Sequence, residues 1–563
     1  MKNHPKRLLR ICHDAVILLL FAISLGIPRI AAAQLTFRWA RIQDGYRKDD
    51  YINDLDIDNL GNVYVAGWVT NNANNFDYFV AKYNRSGIRQ WYQLYDHGGN
   101  DQAKSIVVKG SKLYITGRSQ ISSGFGADYD IVSFVIDTAG TIRMDSTNER
   151  RYDYGSLRYD DDAVALIPTV NDTFFVAGLH RDSATAATHF TLLKYSPERL
   201  VGEASFNSGG SDDVVGMAMV DNSDLYVAGT STFAPNYSPV FTTLKYDNQL
   251  RRQWVRNYQH AGYDEATALF ADGSGVYVTG RSVATCGDLD AATVKYSPDG
   301  TQAWVARSFE CLSGQVSAGG ITADKNFVYA TAYHANGSQF FKYDKATGTF
   351  QMTPVSSIQS NWNTIRIEDG TGSMYVAGHR VYYDAPYNAW HLAKFDSSGA
   401  LISEVLFDGS GVGNANTMAR MKASNADSSL VMVGSTTTNN QQDMMIVKYA
   451  VGGTFAIDGV YSGHGPGWAN NSFPDYRLDQ NYPNPFNPTT SVRFSLHESG
   501  TVSLRVFDVL GREVKIIVDN RRLEAGVHEV AVDLPGLASG IYFCTIFANE
   551  GRFTATRKMV IAR

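Results

Sequence analysis

The sequence predicts an all-β protein: an eight-bladed β-propeller, with seven blades as the alternative, followed by a small immunoglobulin-like β-sandwich. Three observations carry the prediction. A Tyr-Val-Ala-Gly segment recurs along the chain, and a Lys-Tyr pair follows nearly every occurrence. The composition also favours strands and turns: 12% of the 563 residues are aromatic, 50 are glycine and only 19% are charged. Aromatic and β-branched residues suit a pleated, half-buried surface, while glycine and asparagine supply the turns between strands.

In chain order, the first element is a targeting segment. Lys2, Lys6, Arg7 and Arg10 form a basic start, residues 15–27 an apolar run, and Ala31-Ala32-Ala33 a small-residue cleavage site that leaves Gln34 as the new terminus. This is the pattern of a signal peptide, residues 1–33. An uncleaved N-terminal anchor is the alternative, but the run falls short of the roughly 20 residues a membrane span needs. No later segment reaches that length, so no transmembrane segment is expected in the mature chain. The formal charge is −6 and becomes more acidic once this basic segment is lost. Nucleic acid and anionic lipid both require basic patches and are not expected as partners.

The repeat occupies residues 34–450. Its first anchor, Tyr64-Val65-Ala66-Gly67, recurs at 114–117, 175–178, 226–229 and 277–280. It degrades to Tyr-Ala-Thr-Ala at 329–332, returns at 375–378 and ends at 431–434. The second anchor reads Lys82-Tyr83, Val135-Ile136, Lys194-Tyr195, Lys245-Tyr246, Lys295-Tyr296, Lys342-Tyr343, Lys394-Phe395 and Lys448-Tyr449. Units of about 50 residues, each with four strand signals, read as propeller blades. The fourth strand of a unit is marked by Trp91, Trp254 or Trp304. Phe37-Arg38-Trp39-Ala40 has the same character but no earlier unit to belong to, and the last unit lacks a fourth strand. The N-terminal strand is therefore expected to complete the last blade and remove the open edges. The count falls to seven if the degenerate unit at Tyr329 is not a blade. Asp58-Asn59-Leu60-Gly61-Asn62-Val63-Tyr64-Val65-Ala66-Gly67, followed by Asp77-Tyr78-Phe79-Val80-Ala81-Lys82-Tyr83, resembles the SBBP family of bacterial β-propeller repeats. That resemblance implies a fold and no catalytic motif.

The connections from second to third strand, and from fourth strand to the next unit, are long and variable. They lie on one face of a propeller, where variable loops on a rigid scaffold place binding sites. Two recurring sets fall there. Asp101, Asp162, Asp213 and Asp264, with Asp50 and Asn416, precede the innermost strands; Arg118, His180, Arg281 and His379 follow the repeat glycines. Together they are candidates for a polar ligand or cation site at the channel mouth, the ligand being a glycan or protein. The alternative is that each aspartate accepts backbone N–H groups and fixes its own loop. Asp54, Asp56 and Asp58 before Gly61 lack the closing Glu of a calcium loop and read as a turn entering a hairpin. No metal site and no cofactor are expected.

The chain carries no G-x-S-x-G, H-E-x-x-H, P-loop or C-x-x-C motif, and Gly409–Gly413 has no following helix. No catalytic residues are assigned, and the chain is not expected to be an enzyme. The rival reading is a secreted carbohydrate-active lyase or glycosidase built on the propeller, which would need two carboxylates about 5–10 Å apart. A quinoprotein dehydrogenase fits poorly for want of adjacent cysteines. Cys286 and Cys311 either pair or remain separate thiols, and Cys544 stands alone in the tail.

Residues 451–475, rich in glycine, read as a linker, and 476–563 as a domain of about seven strands. Its entry is Asn481, Pro483, Asn484, Pro485, Phe486, Asn487 and Pro488. Gly511 after Val506-Phe507-Asp508-Val509-Leu510, Gly526, Gly540 with Tyr542, and Lys558 follow in order. This string resembles the C-terminal sorting domain of the type IX (Por) secretion system. The resemblance implies the type IX machinery as partner, export through the periplasm to the cell surface or beyond, and removal of the domain on the way. A generic immunoglobulin-like accessory module is the alternative.

Overall fold

A computed structural model describes residues 35–451 and 477–562, apart from 44–47, 122–127, 155–159, 183–186, 234–237, 309–315, 335–336, 353–359, 381–388, 408–413, 439–440, 479–480, 482–483, 497–499, 510–511, 524–525 and 549–552. The signal segment and nearly all of the expected linker lie outside the described residues. Every element among the described residues is a strand, and no helix is long and apolar enough to cross a membrane.

Eight four-stranded, blade-like sheets follow one another. Sheet I holds Asp50–Ile57, Val63–Thr70, Phe76–Tyr83 and Arg89–Tyr95; sheet II holds Asp101–Lys109, Lys112–Gln120, Tyr129–Asp137 and Arg150–Tyr152. Sheets III to VII begin at Asp162, Asp212, Asp264, Val316 and Asn361 and repeat the same order. The degenerate unit at Tyr329 forms the complete sheet VI. In sheet VIII three strands, Asn414–Ser424, Ser429–Thr438 and Gln441–Ala450, are completed by the N-terminal strand Thr36–Gln43, which runs antiparallel to the last. The first strand of each sheet touches the first strand of the next, and that of sheet VIII touches that of sheet I.

The repeat residues have local reasons. Second strands such as Val63–Thr70 are buried along their whole length because a neighbouring sheet covers each face. On the first strands of sheets I to V and VII the register shifts just inside the start, pressing a carbonyl onto the glycine of the second strand. A Cβ on Gly67 would lie 1.7 Å from the Tyr51 carbonyl oxygen, and one on Gly229 1.8 Å from that of Asp213. Sheet VI has Ala332 at this position and instead carries Gly319 and Gly320 on its first strand, where the register shift is longer. The Tyr and Lys of the two anchors pair across strands, with Lys82 Nζ 5.2 Å from the Tyr64 ring centre and Lys295 Nζ 5.2 Å from that of Tyr277.

The Lys and Trp anchors also join one sheet to the next. Lys82 Nζ and Trp91 Nε1 of sheet I both donate to the Thr138 carbonyl of sheet II, at 2.9 and 3.2 Å. Lys245 and Trp254 share the Pro298 carbonyl, and Lys295 and Trp304 that of Lys345. Trp39 of the N-terminal strand and Lys448 share the Arg85 carbonyl of sheet I, so the swapped-in strand performs the same task. Arg420 and Lys422 of sheet VIII reach Asp54 and Asp56 of sheet I at 3.4 and 3.0 Å. On the other side, Asp54 and Asp56 accept the N–H groups of Ile106 and Val108 in sheet II. Asp58 accepts the N–H groups of Leu60 and Asn62 as a turn residue. Asp58 is thus a turn residue, while Asp54 and Asp56 lie on the strand before it and brace the neighbouring sheets.

Residues 477–561 form two further sheets, Arg477–Leu478, Thr489–Leu496 and Gly526–Asp533 in one, and Gly500–Phe507, Glu513–Leu523, Gly540–Ala548 and Phe553–Ile561 in the other. Both contribute to one core that includes Phe494, Leu504, Val532, Ile546 and Met559. Cys544 is a free thiol in this core, where burial pushes its pKa up to about 12. Cys286 is disulfide-bonded, and Cys311 lies outside the described residues.

Candidate functional site: the inner-strand ends and the C-terminal motif

Strand pairing sorts the candidate residues at the starts of the first strands into two layers, because neighbouring positions on a strand point to opposite sides. One layer is buried. Asp50, Asp101 and Asp264 are 0% exposed, and Asp212 is 1% exposed. Asp101 accepts the His97 N–H at 2.7 Å, Asp264 that of His260 at 2.8 Å, Asp212 that of Ser208 at 3.2 Å and Asp50 that of Thr70 at 2.9 Å. These aspartates brace their loops, so Asp101 and Asp264 do not present their carboxylates at an open mouth. The register places Asp161 and Asp212 in this layer, one residue before the expected Asp162 and Asp213. His180 also falls here, opposite His189 rather than beside Arg118 and Arg281. It is buried, hydrogen-bonded to the Thr191 hydroxyl and packed on Tyr154; burial and then the His189 charge lower its pKa to about 4.

The other layer brings polar groups together. It contains Gln102, Asp162, Asp213 and Glu265 on the first strands of sheets II to V, and Asn361 on that of sheet VII, opposite Arg118, Leu179, Thr230, Arg281 and His379. Arg118 donates to Gln102 Oε1 at 2.9 Å and to Asp162 Oδ2 of the next sheet at 3.3 Å, with its guanidinium 4.6 Å from the Tyr129 ring centre. Lys104 approaches the same Asp162 oxygen at 3.6 Å. Arg281 binds Glu265 at 2.5 Å and lies over Tyr263. Asp213 stands between these pairs. Its side chain is open to solvent, yet desolvation by the surrounding protein, then the charges of Glu265 and Asp162, push its pKa up to about 6. His379 contacts the Asn361 amide at 3.4 Å, and burial lowers its pKa. Asn416 lies on the first strand of sheet VIII, and Gly409–Gly413 lie outside the described residues.

The structure therefore unites Arg118, Asp162, Asp213 and Arg281 and adds Gln102, Lys104, Glu265 and Tyr263. Sequence pattern missed the last four because they do not recur from unit to unit. The signal that could have found them is parity: Gln102 and Glu265 each follow a recurring aspartate by one position.

In the C-terminal motif, Asn484 works with both ends of its amide. Its Oδ1 accepts the Val560 N–H at 2.8 Å and its Nδ2 donates to the Lys558 carbonyl at 3.2 Å. Phe486 is buried in the core, and its backbone pairs with Val560 and Ala562. Pro488 accepts the Leu534 N–H, Asn481 donates to Thr490, and Tyr542 donates to the Ala538 carbonyl. Pro485 and Asn487 are exposed; Gly526 and Gly540 open their strands. Pro483 and Gly511 lie outside the described residues. The motif ties the entry segment to the last strand of the chain.

An all-β, propeller-like array with such a tail defines a class of exported, repeat-built proteins. Residues 480–562 match the family model of the secretion system C-terminal sorting domain, and residues 34–77 match that of the beta-propeller repeat, SBBP. The tail implies export by type IX secretion, to the cell surface or the extracellular space, and an interaction with that machinery. No curated protein matches the chain. Among solved structures, the Dos1 propeller shares 11% identity over 75% of this chain and 96% of its own, at a TM-score of 0.43. The β-propeller domain of the Trilobed protease from Pyrococcus furiosus shares 10% identity over 64% of this chain and 96% of its own, at 0.37. PorZ, a surface component of the type-IX secretion system of Porphyromonas gingivalis, shares 10% over 93% of this chain and 100% of its own, at 0.19.

Proposed function

We propose that this protein is a non-catalytic binding module: a closed propeller of eight blades, residues 34–450, whose variable-loop face holds a glycan or protein ligand. The observation that carries the reading is the row of Asp162, Asp213 and Glu265 on successive inner strands, framed by Arg118 and Arg281. Paired carboxylates and guanidinium groups beside Tyr129 and Tyr263 suit the hydroxyls and faces of a sugar, or the polar groups of a peptide. The tail, residues 476–563, is an immunoglobulin-like sandwich that engages the type IX machinery after passage of the chain through the periplasm. Residues 1–33 are removed at the inner membrane, and 451–475 form the linker in which the tail is cut. No cofactor is required.

The test is a glycan array and a partner pull-down with the mature chain, beside an Arg118→Ala, Arg281→Ala double variant. Binding by the wild type and its loss in the variant support the reading; equal binding by both places the ligand elsewhere. A second reading, a glycoside-cleaving enzyme, is favoured by Asp213, a carboxyl poised at about 6 between two other acids. Turnover of polysaccharides by the wild type and its abolition in Asp213→Asn would replace the binding reading with this one.

A further inference from the structure

The buried layer contains a cluster with a different meaning. At the junction of sheets II and III, Asp130 is the second residue of the third strand of sheet II, Asp153 follows its last strand, and Asp161 precedes the first strand of sheet III. One carboxylate oxygen from each lies within 4.8 Å of the other two. Asp130 is 0% and Asp161 1% exposed, and each keeps its Oδ1 without a hydrogen-bond donor. Their second oxygens are engaged, Asp130 Oδ2 by Arg151 at 2.9 Å and Asp161 Oδ2 by the Tyr154 N–H at 2.9 Å. Asp128 adds a further negative charge in electrostatic range, and Arg151 also serves Glu149. The Arg151 guanidinium is thus shared between Asp130 and Glu149.

The next junction shows how the same position is neutralised. Strand pairing makes His189 of sheet III the counterpart of Asp130, and Asp212 of sheet IV the counterpart of Asp161. There His189 Nδ1 lies 3.2 Å from Asp212 Oδ2, so an imidazole fills the place between the sheets. At the II–III junction an aspartate replaces the histidine and a third carboxylate joins. Buried charges in proteins are paired or coordinate a metal.

We propose that Asp130, Asp153 and Asp161 bind a divalent cation that bridges sheets II and III. The donors are all carboxylate oxygens, which favours calcium over the softer transition metals; water completes the coordination on the exposed Asp153 side. The ion takes the place that the imidazole holds at the next junction and ties down the chain immediately before Asp162.

The experiment uses the mature chain, stripped with EDTA and titrated with calcium chloride by calorimetry, with the thermal midpoint followed in parallel. The expected result is a single-site isotherm and a calcium-dependent rise in Tm. Asp153→Asn, at an exposed position that leaves the core intact, is expected to weaken binding at least tenfold and to cancel most of the rise. Absence of heat and of a Tm shift in the wild type would overturn the proposal. So would an isotherm unchanged in Asp153→Asn, which would place the ion elsewhere.

Discussion

Single residues show why this repeat is written as it is. The glycine that ends each Tyr-Val-Ala-Gly anchor answers to a carbonyl pushed outward by a local register shift, and at Gly67 the opposing Tyr51 oxygen leaves no room for a methyl group. Gly67→Ala is expected to cost about 3 kcal/mol through forced overpacking, read from the urea midpoint; a change under about 0.5 kcal/mol would contradict this reading of the contact. Asp77 gives a test in pH. It is buried, and burial first, then the charges of Asp96 and Asp101, raise its pKa to about 7 against the hydrogen bond from Asn71. The folded protein holds this proton up to about pH 7, while the unfolded chain releases it near the ordinary carboxylate value. Unfolding between those limits liberates a proton, so this group's contribution to stability falls as pH rises through the window and levels off above it. Asp77→Asn, which can still accept from Asn71, is expected to gain about 1–2 kcal/mol at pH 8 relative to its effect at pH 4. Parallel pH profiles for the two proteins would count against the shift.

At the scale of elements, the N-terminal strand Thr36–Gln43 completes sheet VIII. It pairs with Gln441–Ala450, places Trp39 in a core shared with Ile52, Leu55 and Val63, and gives Trp39 Nε1 to the Arg85 carbonyl. Trp39→Ala is expected to cost about 3–5 kcal/mol, measured by chemical denaturation. The same change at Trp91, which is only half-buried, is expected to cost less. Equal costs would mean that the closing strand is no more important than an ordinary fourth strand. Sequence pattern foretold this closing strand correctly, because Phe37-Arg38-Trp39-Ala40 repeats the chemistry of Trp91 and Trp254. It also foretold the Lys-Tyr and Trp anchors as repeat features. That both side chains of a unit meet on one carbonyl of the next was not legible, since the partner is a backbone atom some 44–56 residues away.

At the scale of the whole molecule, the tail is addressed separately from the cargo. The match over residues 480–562 predicts that deletion of 476–563 stops surface or extracellular delivery of the cargo. Fractionation and immunoblotting check this, and normal surface display of the truncated chain would refute it. The same deletion is expected to leave the thermal transition of the repeat array in place, because the tail has its own core.

The sequence by itself determined the all-β class, the repeat, the strand that completes sheet VIII and the sorting tail. Each of these is written in local spacing, in motifs, or in a pattern repeated often enough to stand out. Only the tertiary structure decided which polar residues meet. A shift of one position along a strand sends a side chain to the opposite side of the sheet, so Asp161 and Asp212, not Asp162 and Asp213, are the counterparts of Asp101 and Asp264. That shift buried His180, left Arg118 to bind Asp162, and gathered Asp130, Asp153 and Asp161 from three separate elements. Contacts between one sheet and the next depend on how the sheets stack, and no periodicity within a single unit records that.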